Sequence, residues 1–199
     1  MRSPALVAVL CVAVAAVLVV AGRDGGSERR QGTVALVGDS LNVGVEPYLH
    51  EALRGWKLVA NDLVGRRTEE GIVEIEQGRA RLAPHVVVSL GTNDPPDAVA
   101  TFREQVGRVT RLVGPDRCLV WATIWRDGAP SDAFNEVLRE AASANGRMRV
   151  VEWAEMVQTH SDWLADDGLH GNATGYRKRA EAIAAAIRDC APEQADGER

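Results

Sequence analysis

Ser40, Asn93 and His170 are the residues whose types and surroundings could do chemistry. Ser40 stands in Gly38-Asp39-Ser40-Leu41, directly after the apolar run Thr33 to Val37 and before a stretch with helical spacing. At a helix start, free backbone N–H groups and the helix dipole favour developing negative charge. Taken alone, Asp39 or Ser40 reads first as an N-cap. Asn93 lies in Gly91-Thr92-Asn93-Asp94, ahead of Pro95-Pro96, and alone it reads as a turn residue. His170 closes Asp166-Asp167-Gly168-Leu169-His170. Among His50, His85, His160 and His170, only His170 has an acidic residue three positions before it. Asp167 in that place can orient the ring through one nitrogen while the other faces a nucleophile. A surface turn also uses Asp-Asp-Gly, so this block is ambiguous by itself. The combination is less so. A Ser hydroxyl needs a base to take its proton as it attacks an ester carbonyl. The resulting oxyanion needs donors already aimed at it, and an uncharged Asn amide is one. Nucleophile, oriented base and oxyanion donor together make the generalised serine-hydrolase set.

Five apolar runs must carry these residues. Thr33–Val37, Lys57–Ala60, His85–Leu90, Cys118–Ile124 and Met148–Val151 read as strands. Between and after them, Leu41–Leu53, Glu69–Arg81, Ala98–Val113, Ala133–Ala144 and Ala173–Ile187 have helical periodicity. Pro47 suggests that the regular part of the first helix starts there. Strands alternating with helices predict an α/β three-layer sandwich, a central five-stranded parallel sheet with helices on both faces. Ligands gather at the carboxyl ends of strands in such folds, where Ser40 and Asn93 fall.

The set Ser40, Asn93 and Asp167-x-x-His170, in this order over residues 33–188, resembles the SGNH (GDSL-type) esterase and lipase family, whose sheet is flavodoxin-like. The resemblance implies that Ser40 is the nucleophile, His170 the general base and Asp167 its orienting carboxylate. It implies an oxyanion hole from the Ser40 and Gly65 backbone N–H groups and the Asn93 side chain. Gly65 sits in Asn61-Asp62-Leu63-Val64-Gly65-Arg66-Arg67. It also reads as a turn glycine with positive φ, with Gly71 a weaker competitor for the role. The Gly-x-Ser-x-Gly pattern of the α/β-hydrolases is absent around Ser40.

Val64-Gly65-Arg66-Arg67 and Arg149-Val150-Val151-Glu152-Trp153 are similar to one branch of that family, extracytoplasmic domains that serve membrane acyltransferases acting on surface glycans. This implies short acyl, chiefly acetyl, chemistry on carbohydrate, either hydrolysis or transfer, the latter with a membrane acyltransferase as partner. A catalytically idle glycan-binding module is the alternative from another class. Short connections leave no insertion for a lid or acyl tunnel. Arg66 and Arg67 beside Gly65 are candidate contacts to a polar acceptor or else solvated charges. Trp125, just past the fourth strand, stacks on sugar or packs at the rim. Asn172-Ala173-Thr174 matches a glycosylation acceptor, with an N-cap as the alternative for Asn172.

Composition sets the outer limits. The chain has 199 residues, 46% hydrophobic and 26% charged, with net charge −5, enough for one conventional core. The charge is uneven, +2 over residues 1–32 and −7 over the rest, which disfavours nucleic acid as a partner. Residues 5–21 are an unbroken apolar run, so 1–22 read as a signal peptide or membrane anchor and the protein as extracytoplasmic, secreted or tethered. Residues 23–32 read as a linker, 33–190 as one domain, expected monomeric, and 191–199 as a polar tail. Beyond Cys11 in the apolar run, Cys118 and Cys190 remain, either disulfide partners or two small buried hydrophobes. No P-loop, paired-Cys zinc pattern or HExxH occurs, so neither metal nor cofactor is expected.

Overall fold

Among the described residues the elements follow one another as β1 (Thr33–Gly38), α1 (Ser40–Ala52), β2 (Lys57–Asp62), α2 (Thr68–Gly78) with a 3₁₀ turn (Arg79–Arg81), β3 (His85–Ser89), α3 (Val99–Val113), β4 (Cys118–Ala122), α4 (Asp132–Ala144), β5 (Met148–Val151), α5 (Trp153–Thr159) with a second 3₁₀ turn (Ser161–Trp163), and α6 (Ala173–Cys190). The computed structural model describes residues 32–126 and 131–190. The apolar run, most of the linker and the polar tail lie outside the described residues. Among the described residues, no helix is long and apolar enough to cross a membrane.

The strands form one parallel sheet in the order β2-β1-β3-β4-β5. From β1 the chain steps outward to β2, then crosses back over β1 to β3. The reversal opens a crevice between the carboxyl ends of β1 and β3, where Gly38 is in register with Ser89.

Alternation in the strands builds a core on each face. Val87 and Val120 point to a cluster with α1, α5 and α6. Their neighbours Val86, Val88, Leu119 and Trp121 point to the opposite cluster with α2, α3 and α4. β3 and β4 are buried along their whole length, which explains their uninterrupted apolar centres. Each such side chain contributes on the order of 1.5–3 kcal/mol by leaving water. β2 is one of the two edge strands and exposes most of its residues, among them Lys57 and Asn61, which discourages pairing with another chain.

Expectation and structure differ in three places. Pro47 does not begin the helix; α1 starts at Ser40 and runs through it. Pro47 and Val43, one turn before it, both face solvent, so water can satisfy the carbonyl that loses its N–H partner. The stretch expected as one helix over Glu69–Arg81 is an α-helix followed by a 3₁₀ turn. α5 was not legible, because seven residues give too few turns for a period.

Cys118, at the start of β4, and Cys190, at the end of α6, are joined as a disulfide with Cα atoms 5.8 Å apart. The bridge closes 72 residues of chain, and a loop of that size contributes about 4 kcal/mol in the chain-entropy model. It pins the helix that follows the His170 loop to the sheet.

Candidate active site

Asp39 has extended backbone geometry, and its carboxylate accepts the Leu41 N–H at 3.0 Å, so it is the N-cap of α1. Ser40 is thereby the first helical residue, and its N–H is one that a helix leaves without an intrahelical acceptor. The cap and the nucleophile readings of this block are thus compatible.

The C-terminal block meets Ser40 across 130 residues of sequence: His170 Nε2 lies 2.9 Å from Ser40 Oγ. On the other side of the ring, Nδ1 lies 2.6 Å from Asp167 Oδ2. A carboxylate only accepts, so Nδ1 carries the proton and Nε2 is left to accept from the Ser40 hydroxyl. Asp167 also caps its own turn, with Oδ1 accepting the N–H of Leu169 at 3.0 Å and of His170 at 2.9 Å. The hydrogen bond from the His170 ring, then those two N–H groups, pull the Asp167 carboxyl down to about 2. The loop is closed by Ala165 N–H to His170 O at 2.7 Å and by an antiparallel bridge between Leu164 and Gly171. Asn172 caps α6: its Oδ1 accepts from Thr174 and Gly175, and its Nδ2 donates to Asp162 and Leu164 carbonyls. This is the structural alternative to the glycosylation pattern.

Asn93 lies half-buried, with Nδ2 3.1 Å from both the carboxylate Oδ2 of Asp39, the residue before Ser40, and the Arg66 carbonyl. Two acceptors on that side identify it as the nitrogen end of the amide. Its donors are therefore held at the crevice before any substrate arrives, and an incoming oxyanion would share one of them.

Gly65 occupies the third position of the turn Leu63 to Arg66, closed by Arg66 N–H to Leu63 O at 3.1 Å. Its φ of +77° is what that turn needs and what a side chain would oppose. The same loop is tied to the strand end that leads into Ser40, since Leu63 N–H bonds the Gly38 carbonyl at 3.1 Å. Gly71 is no competitor: it lies inside α2, its N–H bonded to Arg67 O, and a Cβ there would stand 2.2 Å from Leu90 Cδ1.

Arg66 is a correction. Rather than reaching toward an acceptor it is 5% exposed, and its guanidinium turns inward to the carbonyls of Gly38 and Asn61 and the Asn61 side chain. A guanidinium offers five donors, and the β2–α2 loop leaves carbonyls that only such a fork can reach together. Arg67 remains exposed. Trp125 is partly buried and donates from Nε1 to the Gly168 carbonyl at 2.9 Å, so it braces the His170 loop.

Some supports had no sequence signal. Asp94 accepts from the Thr68 N–H and hydroxyl, tying the start of α2 to the Asn93 loop. Arg126 donates to the carbonyls of Gly91 and Asp94 and stacks over Phe134 at 4.6 Å. These contacts join segments about 30 residues apart, which no local pattern announces. Among the described residues, no three His, Cys, Asp or Glu side chains gather as a metal site.

No family model matches the chain. It is 29% identical over 147 residues to peptidoglycan O-acetyltransferase OatA of Listeria monocytogenes, an alignment over 72% of this chain and 22% of that protein. The chain therefore spans about a fifth of that relative's length. Among solved structures it is similar to the C-terminal catalytic domain of Streptococcus pneumoniae OatA, with TM-score 0.68 and 18% identity over 80% of this chain and 93% of that one. It is also similar to a lipolytic protein of the G-D-S-L family from Veillonella parvula, with TM-score 0.63 and 16% identity over 77% and 95%. With five parallel strands in flavodoxin order and helices on both faces, the chain has the fold of the SGNH, or GDSL-type, hydrolases.

Proposed function

We propose that the chain is a serine esterase acting through an acyl-Ser40 intermediate on acetyl esters of carbohydrate. The observation that carries this reading is the Ser40–His170–Asp167 chain of contacts, 2.9 and 2.6 Å long, at the carboxyl edge of the sheet.

Ser40 Oγ attacks the acetyl carbonyl carbon as its proton passes to His170 Nε2. The carbonyl oxygen becomes an oxyanion held by the N–H groups of Ser40 and Gly65 and by the Asn93 amide. The C–O bond to the sugar breaks, and the sugar oxygen leaves with the proton from His170. Water then attacks acetyl-Ser40 while His170 takes its proton, and acetate departs as the proton returns to Ser40. Asp167 stays ionised throughout and holds the His170 ring in place through Nδ1.

A second reading shares every step but the last, with a sugar hydroxyl replacing water. The likeness to two O-acetyltransferases favours it. As a transferase the chain would work outside the cytoplasm beside a membrane acyltransferase that supplies acetyl groups. The Cys118–Cys190 bridge supports an oxidising compartment.

The test combines a fluorophosphonate probe with an acetyl donor, with and without peptidoglycan oligosaccharides, read by mass spectrometry. Labelling on Ser40 with acetate as product is the expected result. Acetylated sugar would instead establish transfer. An unlabelled protein would point to an idle glycan-binding module, and preference for long-chain fatty esters would overturn the substrate class.

A further inference from the structure

Helix α6 carries a charge that the proposed mechanism does not use. Its sheet-facing positions Ala180, Ile183, Ala184 and Ile187 are apolar, yet Arg179, on the same helix, is only 1% exposed. Its guanidinium lies 4.9 Å from the centre of the Trp153 ring, and its Nη2 donates to Ser89 Oγ at 2.8 Å. Nε and Nη1 have no protein acceptor among the described residues. Burying such a group is costly without an opposite charge to answer it. Burial draws Arg179 down to about 10, which still leaves it protonated at neutral pH.

The answering charge is Asp39, which is 0% exposed. Ser89 links the two: its hydroxyl accepts from Arg179, and its carbonyl accepts the Asp39 N–H at 3.1 Å. The Asp39 carboxylate in turn holds the Leu41 N–H with one oxygen and the Asn93 amide with the other. Burial pushes Asp39 up to about 6, against the Leu41 hydrogen bond and then the charges of Arg179 and His170. The groups that face it are Leu41 from α1, Asn93 from the β3–α3 loop, His170 from its own loop, and Arg179 and Tyr176 from α6.

We propose that Arg179 is a positioning residue whose buried charge keeps Asp39 in its carboxylate form, and that the carboxylate aims Asn93 and the start of α1 at the reacting carbonyl. A protonated Asp39 would accept weakly from Asn93 and would offer a donor of its own into the crevice. Arg179 sits on the helix that follows His170, so the same element that delivers the base also sets the charge under the nucleophile. This inference rests on the serine-esterase reading.

Two measurements test it. The first is the pH profile of kcat/KM on a small acetyl ester for the wild type, Arg179→Met and Arg179→Lys. The acid limb of Arg179→Met is expected to move up by about one pH unit or more, an approximately tenfold loss on that limb that is regained at higher pH. Arg179→Lys is expected to keep the wild-type limb, because it keeps the charge. A role in packing alone would lower the rate by one factor at every pH. A folded Arg179→Met with an unmoved acid limb overturns the proposal. The second is direct titration of the Asp39 carboxyl by carbon-13 NMR in the wild-type protein, which needs neither a folded variant nor catalysis. Asp39 is expected to be ionised at pH 7, and finding it protonated there overturns the proposal. Failure of the probe to label Ser40 while Asp39 titrates as expected would instead locate the error in the esterase reading.

Discussion

Asp39 and Asp167 are carboxylates on either side of the same serine, and their surroundings drive them in opposite directions. Asp39 is wholly buried, and desolvation raises it to about 6. Asp167 is about half exposed, and hydrogen bonds from His170 and its own turn lower it to about 2. Around Asp39, beyond its cap bond to Leu41, the contacts come from distant segments: Asn93, Ser89 and, through the core, Arg179. Around Asp167 the hydrogen bonds come from within three residues of chain. One half of the site is a product of the core, the other of a local turn anchored by Trp125 and the cap of α6. The groups that Asp39 holds around Ser40 should therefore be coupled to stability, whereas His170 and Asp167 should be coupled to activity alone.

The strongest challenge to that division is at the atom both halves share. Ser40→Ala should lower kcat on p-nitrophenyl acetate by at least about 10⁴-fold while the thermal midpoint stays near the wild-type value. Retained turnover would remove the nucleophile and leave two unrelated clusters. In the exposed half, Asp167→Ala frees the His170 ring to adopt the wrong tautomer or turn away. A loss of about 10³–10⁴ in kcat is expected, with thermal unfolding nearly unchanged. A large fall in the midpoint would mean that this loop is structural after all.

In the buried half, Asn93→Ala should cost about 10²–10³ in kcat. It also leaves Asp39 Oδ2 and the Arg66 carbonyl without their Asn93 donor, at about 1–3 kcal/mol of stability, measurable by denaturant unfolding. An effect on KM alone would make Asn93 a substrate contact. The smallest change is expected for Trp125→Phe, which keeps the ring and removes the hydrogen bond to Gly168. About 1 kcal/mol of loop anchoring is at stake, a few-fold in kcat. A loss as large as that of Asp167→Ala would show that the exposed loop depends on the core more than its local bonds suggest.

Legibility in the sequence divides along the same line. The Asp167–His170 pairing could be read directly, because a three-residue spacing and a glycine within the turn are properties of a short segment. Ser40 and Asn93 were legible only as a set, since each alone is an ordinary cap or turn residue. Arg66 was misread, because a loop arginine next to a candidate donor looks the same in sequence whether it faces solvent or its own backbone. Arg179 could not be read at all. A charge among apolar positions of a helix breaks the pattern, but the residue that answers it lies 140 positions earlier in the chain.

What the sequence determined by itself follows from short-range physics. Strand and helix periods, the parallel alternation and the polar blocks at strand ends are set by which side chains must leave water and how often they recur. Folding decided what lies close in space. The order β2-β1-β3-β4-β5 brings the ends of β1 and β3 together, and the anchored α6 brings His170 to Ser40. Burial then gave Asp39 and Asp167 different protonation behaviour although the residue type is the same. Desolvation and charge coupling depend on three-dimensional surroundings, and no local pattern encodes them.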